Sequence, residues 1–262
     1  MSSEIIDDRF LGALHLQALT RNGFAHDPAA EHTAFQVGTL DALMAGGFDG
    51  DATIEEVLSH GDLGIGTVEH LGGELVIIEG SALVIDFHGT VYEVTPMTRT
   101  PFAVVCSFSP VVRTEVKELE GFGALRDALE RSAPAGAEVL AFRLDGQFHG
   151  LQLRSVRAQT PPYVSLSEVT RHQSEWQLEE AVGTLVGFRF PDGTAGIEVP
   201  GYHIHFISED RLTGGHVLNV SVSHGVLQID GASELHVELP EGVGLGEPGA
   251  ADRAAIRSVE GS

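Results

Sequence analysis

A single cysteine, Cys106, stands in the 262-residue chain. That excludes an intramolecular disulfide and any zinc or iron–sulfur site built from several thiolates. Basic residues are scarce: 15 Lys and Arg face 38 Asp and Glu, for a formal net charge of −23. A surface so acidic repels phosphate backbones, which argues against nucleic acid as a partner. Apolar runs are short, and none approaches the ~20 residues that cross a bilayer as a helix, so no membrane partner is expected. The amino-terminal MSSEIIDDRF carries Glu4, Asp7 and Asp8 where a secretory signal carries Lys or Arg, and no apolar run follows it. The expectation is a cytoplasmic protein in which Cys106, within PFAVVCSF, is a reduced core thiol.

What is present is a globular composition, 42% hydrophobic, long enough for one large domain or two small ones. Residues 1–33 are polar and mixed and read as a flexible lead-in. GTLDALMAGGFDG then predicts a short helix closed by glycines, and DATIEEVLSHGD a second, with Thr53 and Glu56 in capping-box spacing. From Leu63 the pattern turns to short apolar runs separated by Gly-Gly, Glu-Gly and His-Gly, which predicts hairpins. An amphipathic helix is expected near 118–131, with Leu119, Phe122, Leu125 and Leu129 on one face. A second strand-rich stretch opens at VLAFRLDGQFHGLQLRSV, where Asp145-Gly146 reads as a hairpin turn. PPYVSLSEVTRHQSEWQLEEA reads as a loop and weak helix, with Pro161-Pro162 as the linker. Further strand–turn–strand units follow before a Gly/Ala-rich tail. The expected fold is α+β: two linked, mostly antiparallel or mixed β-sheet lobes, at 34–160 and 161–262, with a few short helices.

Of 13 histidines, one group has the spacing of metal ligands. In PGYHIHFISEDRLTGGHVL, His203 and His205 fall two apart, so on a strand they share a face while Tyr202, Ile204 and Phe206 turn away. A four-residue loop over 209–212 pairs Ser208 with Thr213, and that antiparallel register sets His205 opposite His216. Directly opposed Cβ atoms lie ~5 Å apart, so the three imidazoles can converge; a bulge at Gly214-Gly215 would shift the register. Three neutral imidazoles with an open fourth position suit catalytic Zn²⁺, and imidazole also suits copper, nickel and iron. The remaining histidines lack such grouping, and His60-Gly61-Asp62 reads as a helix end rather than a second metal pair.

From about Thr33 onward the chain resembles the acetolactate decarboxylase family. The resemblance is carried by GTLDALMAGGFDG, DATIEEVLSHGDLGIGTVEHLGGELVIIEG, LQLRSV, GYHIHF followed by GGHVLNV, and AAIRSVE, in that order. It implies conversion of 2-acetolactate, a small 2-hydroxy-3-oxo acid, to acetoin and CO2 by a homodimer. Zn²⁺ would be held by His203, His205 and His216. Glu74, Arg154 and a tail glutamate, Glu260 with Glu247 as competitor, match the family's catalytic positions, and Thr67 with Arg154 its substrate-binding ones. The tail would fold toward the active site.

The implied residues suit the chemistry. Losing CO2 leaves electrons that the neighbouring ketone accepts as an enediolate, and a divalent metal stabilises that charge. A carboxylic acid above the metal, Glu74 or Glu260, would protonate carbon. Arg154 suits orientation of the substrate's carboxylate or polar oxygens, with Arg157 as the alternative. Two other readings stay open at this point. His203, His205 and Glu209 form an HxHxxxE pattern like that of metal-dependent cupin oxygenases and isomerases, and the HxH and GGH signature also resembles non-enzymatic PPC-type binding modules.

Overall fold

The computed structural model describes residues 5–20, 32–239 and 245. Short apolar runs broken by glycine pair into two large sheets that face one another. The first is built from β1 (Ile5–Leu11), β2 (Leu14–Thr20), β3 (Thr33–Val37), β5 (Leu63–Thr67), β6 (Glu74–Ile78), β7 (Ser81–Ile85), β8 (Val91–Glu93), β10 (Phe102–Cys106) and β16 (Glu234–Leu239). Their order is β1-β2-β16-β3-β10-β5-β6-β7-β8. Two-residue β4 (Ala52–Thr53) and β9 (Arg99–Thr100) form a separate small ladder.

The second sheet holds β11 (Val112–Leu119), β12 (Val139–Ser155), β13 (Ser174–Phe190), β14 (Gly201–Ser208) and β15 (Gly214–Ala232). It closes on itself, because the start of β15 pairs with β14 while the rest pairs with β12 and β11. The helices are α1 (Leu40–Met44), α2 (Ile54–Leu58), α3 (Gly121–Ser132) and α4 (Leu166–Thr170).

Alternation along the strands sorts the core. On β10, Phe102, Val104 and Cys106 face one way and Ala103 and Val105 the other, as period two requires. Val104 and Cys106 join Ile65, Val76 and Ile85 against Val186, Phe188 and Ile207 of the second sheet. Ala103 and Val105 pack under Ile54 and Val57 of α2. Inside the closed second sheet, Phe142, Phe148, Ile204 and Phe206 meet Leu125 and Leu129 of α3. Phe148 and Phe206 stand edge to face, centroids 5.6 Å apart, and each side chain buried to this degree contributes ~1.5–3 kcal/mol.

Several local expectations are met. The α2 capping box is complete: Glu56 N–H donates to Thr53 Oγ1 at 3.3 Å, and Thr53 N–H to the Glu56 carboxylate at 2.7 Å. Glu79-Gly80 forms the β6–β7 turn with both φ positive, 53° and 74°. Cys106 is buried and free, and burial pushes its thiol pKa well up.

Others are corrected. Asp145-Gly146 is no turn but the middle of the seventeen-residue β12. The glycine is there because β15 runs too close for a side chain: a Cβ on Gly146 would lie 2.3 Å from the His224 carbonyl oxygen. Leu119 ends β11, and α3 begins at Gly121, where Ser221 Oγ and Asn219 Oδ1 accept from the N–H groups of Gly121 and Phe122 at 2.9 and 3.0 Å. SEWQLEEA is the first half of β13 rather than a weak helix. Within the lead-in, residues 5–20 are the β1–β2 hairpin, docked on β16. The sheets also cross the expected 160/161 boundary, since β11 and β12 belong to the second sheet and β16 returns to the first. Pro161-Pro162 sits in the loop before α4.

Candidate active site

The hairpin of β14 and β15 has the register expected from its loop length. Ser208 N–H donates to the Thr213 carbonyl at 2.9 Å, and His205 stands opposite His216 with Phe206 opposite Gly215. No bulge shifts it. Two glycines make the approach possible: a Cβ on Gly214 would lie 2.4 Å from the Phe206 carbonyl oxygen, and one on Gly215 2.9 Å from the Trp176 ring. Ile204 and Phe206 enter the core of the second sheet, which turns His203 and His205 toward the first sheet.

The three imidazoles converge. Ring centroids are 4.9, 5.0 and 5.4 Å apart, and one nitrogen from each lies within 4.8 Å of the others. His203, His205 and His216 are 8%, 0% and 2% exposed. His205 Nδ1 is 2.8 Å from the Leu75 carbonyl of β6. A carbonyl only accepts, so Nδ1 carries the hydrogen and the Nε2 lone pair points into the cluster. That Nε2 is 3.1 Å from His203 Nε2 and 3.4 Å from Glu74 Oε2.

Burial drives the His203 pKa down to about 3, with the Arg154 charge adding to the effect. Burial, the neighbouring His203 and Arg154 push His205 well below its ordinary value, against the Leu75 carbonyl, which favours the charged form. Both rings are therefore neutral at neutral pH. One ring nitrogen from each of the three histidines thus forms a donor set that a divalent cation fits, with the Glu74 carboxyl beside it. Among the described residues no other group of three His, Cys, Asp or Glu converges in this way.

Around the cluster lies a pocket of about 480 Å³ including its mouth, with Thr67, Glu74, Arg154, His203 and His216 in its wall. Glu74 opens β6 and faces Thr67 of β5 directly across the ladder. Thr67 Oγ1 donates to the Gly73 carbonyl at 2.8 Å, so its hydrogen is engaged while its oxygen lone pairs stay available. Arg154, 4% exposed on β12, is paired across the ladder with His216. Among the described residues it makes no ion pair, and its buried Nε has no hydrogen-bond partner.

The structure thus brings together Thr67, Glu74, Arg154, His203, His205 and His216. Glu260 and its competitor Glu247 lie outside the described residues. Glu209 is exposed in the turn, where its N–H donates to the Val182 carbonyl at 2.9 Å, and it is no part of the cluster. The fourth ligand required by the cupin reading is therefore missing.

Sequence reasoning missed the apolar wall and the Leu75 carbonyl. Leu40 and Leu43 come from α1, Leu166 from α4, and Leu71 from the turn between β5 and β6. Their apolar spacing signals burial but not what they are buried against. A backbone acceptor such as Leu75 leaves no mark in side-chain chemistry.

The family profile described as alpha-acetolactate decarboxylase matches residues 34–244. The chain is 38% identical over 236 residues to the alpha-acetolactate decarboxylase of Methylococcus capsulatus, covering 90% of this chain and 91% of the relative. It is 38% identical over 216 residues to that of Brevibacillus brevis, covering 82% and 76%. The crystal structure of alpha-acetolactate decarboxylase from Bacillus subtilis strain 168 superposes with a TM-score of 0.81 at 30% identity, covering 88% of this chain and 100% of that one.

Proposed function

The chain belongs to the alpha-acetolactate decarboxylase family, and from that premise we propose that it converts 2-acetolactate to acetoin and CO2 with a divalent metal, zinc, held by His203, His205 and His216. The observation that carries this reading is the convergence, in one pocket, of three buried imidazoles with a carboxyl group and a buried guanidinium. When bound, the metal supplies Lewis-acid stabilisation of negative charge developing on substrate oxygens.

The chain's own residues do the rest. Arg154, without an ion pair among the described residues, offers a positive charge and a planar fork that fits the substrate's carboxylate. Thr67, its hydrogen held by Gly73, offers an acceptor to the substrate's hydroxyl. As CO2 leaves, the electrons of the broken C–C bond pass into the adjacent ketone and give an enediolate. Glu74 delivers a proton to the carbon that lost CO2, which completes acetoin. The apolar walls of Leu40, Leu71 and Phe102 keep bulk water from that carbon, so protonation comes from one face. In this reading Glu260, by resemblance, shares the acid–base work with Glu74.

The test is acetoin release from racemic 2-acetolactate by purified protein, before and after chelation and on return of zinc. No acetoin from metal-replete protein overturns the reading. A homodimer in the cytoplasm belongs to the same reading, and sedimentation at two concentrations tests the dimer. Among the described residues no helix is long and apolar enough to cross a membrane.

A further inference from the structure

The connection between Thr67 and Glu74 holds two successive residues, His70 and Leu71, in the left-handed region at φ 65° and 53°. Neither is glycine, so each carries its Cβ against steric preference. Such backbone persists only where its surroundings hold it. His70 is held at three points. Its N–H donates to the Phe48 carbonyl at 2.7 Å, and its carbonyl accepts from Gln159 N–H at 2.6 Å. Its Nδ1 is 2.6 Å from the Tyr163 hydroxyl, which is 2.5 Å from Asp49 Oδ1.

The direction of this chain follows from its ends. A carboxylate only accepts, so the phenol donates to Asp49 and receives the Nδ1 hydrogen of His70. The bond to Asp49 holds the phenol in its protonated form, with a pKa raised to about 12. Tyr163 also sets its ring against Phe48, centroids 5.2 Å apart. Asp49 and Tyr163 come from two separate loops and His70 from the short 3₁₀ turn Glu69–Leu71 between β5 and β6, and none of the three lines the pocket. Beside His70, however, Leu71 is 2% exposed and forms pocket wall, and Glu74 follows three residues on.

We propose that His70 is a positioning residue for the decarboxylation: tied through Tyr163 to Asp49, it holds the strained 70–71 backbone that seats Leu71 in the pocket wall and fixes the approach of Glu74. The inference rests on reading this pocket as the decarboxylase site. It extends the machinery to the protein surface, where three residues of ordinary appearance set the shape of a buried wall.

The test uses the metal-replete protein and three variants. His70→Gly accepts the left-handed backbone without strain but deletes the tie. Its melting temperature should stay near the parent's while kcat/KM falls about five- to tenfold. His70→Asn tolerates the same backbone and can present an amide N–H where Nδ1 stands, so it should keep most of the activity. Tyr163→Phe should fall as His70→Gly does. Amide hydrogen exchange over 69–73 should quicken in His70→Gly and Tyr163→Phe alone. Parental kcat/KM in His70→Gly overturns the proposal, as does equal loss in all three variants with unchanged exchange. Should the parent itself release no acetoin, the proposed function fails, and exchange then decides whether His70 holds the segment: faster exchange in His70→Gly supports it and parental exchange overturns it.

Discussion

Glu74 Oε2 lies 3.4 Å from His205 Nε2, although the two residues belong to different sheets. The Leu75 carbonyl, next to Glu74, fixes the tautomer of that same histidine at 2.8 Å. The Glu74 carboxyl and the three imidazoles are therefore registered to one another through a single strand, β6. The first prediction follows from this pairing.

Glu74→Gln keeps the shape of a side chain only 8% exposed but removes the transferable proton. General acid–base groups contribute about 10²–10⁴-fold, and a loss of that order in kcat is expected with bound metal unchanged. Acetoin assay together with metal analysis of the same preparation checks both halves.

Arg154→Lys keeps the positive charge and loses the fork. A charge-assisted hydrogen bond is worth about 1.5–3 kcal/mol, so kcat/KM should fall about 10- to 100-fold at unaltered metal content. Parental steady-state kinetics in this variant would remove Arg154 from substrate recognition.

Metal removal should lower stability as well as activity. A ligand that binds only the folded state at 100 times its Kd adds about 2.7 kcal/mol. For a chain of this size that corresponds to about 5–10 °C in melting temperature. Calorimetry of chelated protein with and without added zinc measures it, and the His203→Ala, His205→Ala double variant should show no zinc-dependent shift.

Acid stability depends in part on His236. Burial holds the His236 pKa below its ordinary value, with His15 adding to that effect and Glu234 opposing it. The unfolded chain therefore takes up this proton first as pH falls. Stability associated with His236 is complete above its unfolded pKa, near 6.5, and is lost as pH drops from there toward the folded value. His236→Gln cannot titrate and should lose less stability than the parent between pH 7 and 5.5, read as urea midpoints.

The histidine cluster was the most legible part of this molecule in its sequence, for a physical reason. Alternation along one strand and the length of one turn fix where His203, His205 and His216 point, and both are local. The α2 capping box and the Glu79-Gly80 turn were legible on the same ground. Legibility failed where tertiary proximity overrode a local signal. Asp145-Gly146 is a strong turn pair by composition, yet there it serves the close passage of β15 beside β12. The hairpin of residues 5–20 reads as polar lead-in because one of its strands lies at the edge of the sheet and half its residues face water. Glu74, Arg154 and Thr67 had ordinary surroundings in sequence. The resemblance marked them, and only the facing of two sheets explains why a hairpin shoulder and a strand arginine share a pocket.

All three imidazoles come from one hairpin, within residues 203–216. Closing so short a loop costs little chain entropy compared with docking one sheet on another. The pairing of β14 with β15 is enough to set the three imidazoles side by side. The tautomer lock from Leu75 and the carboxyl of Glu74 arrive only with the packing of the two sheets. Gathering the imidazoles is thus local to one hairpin, whereas completing the pocket around them depends on the packing of the whole domain.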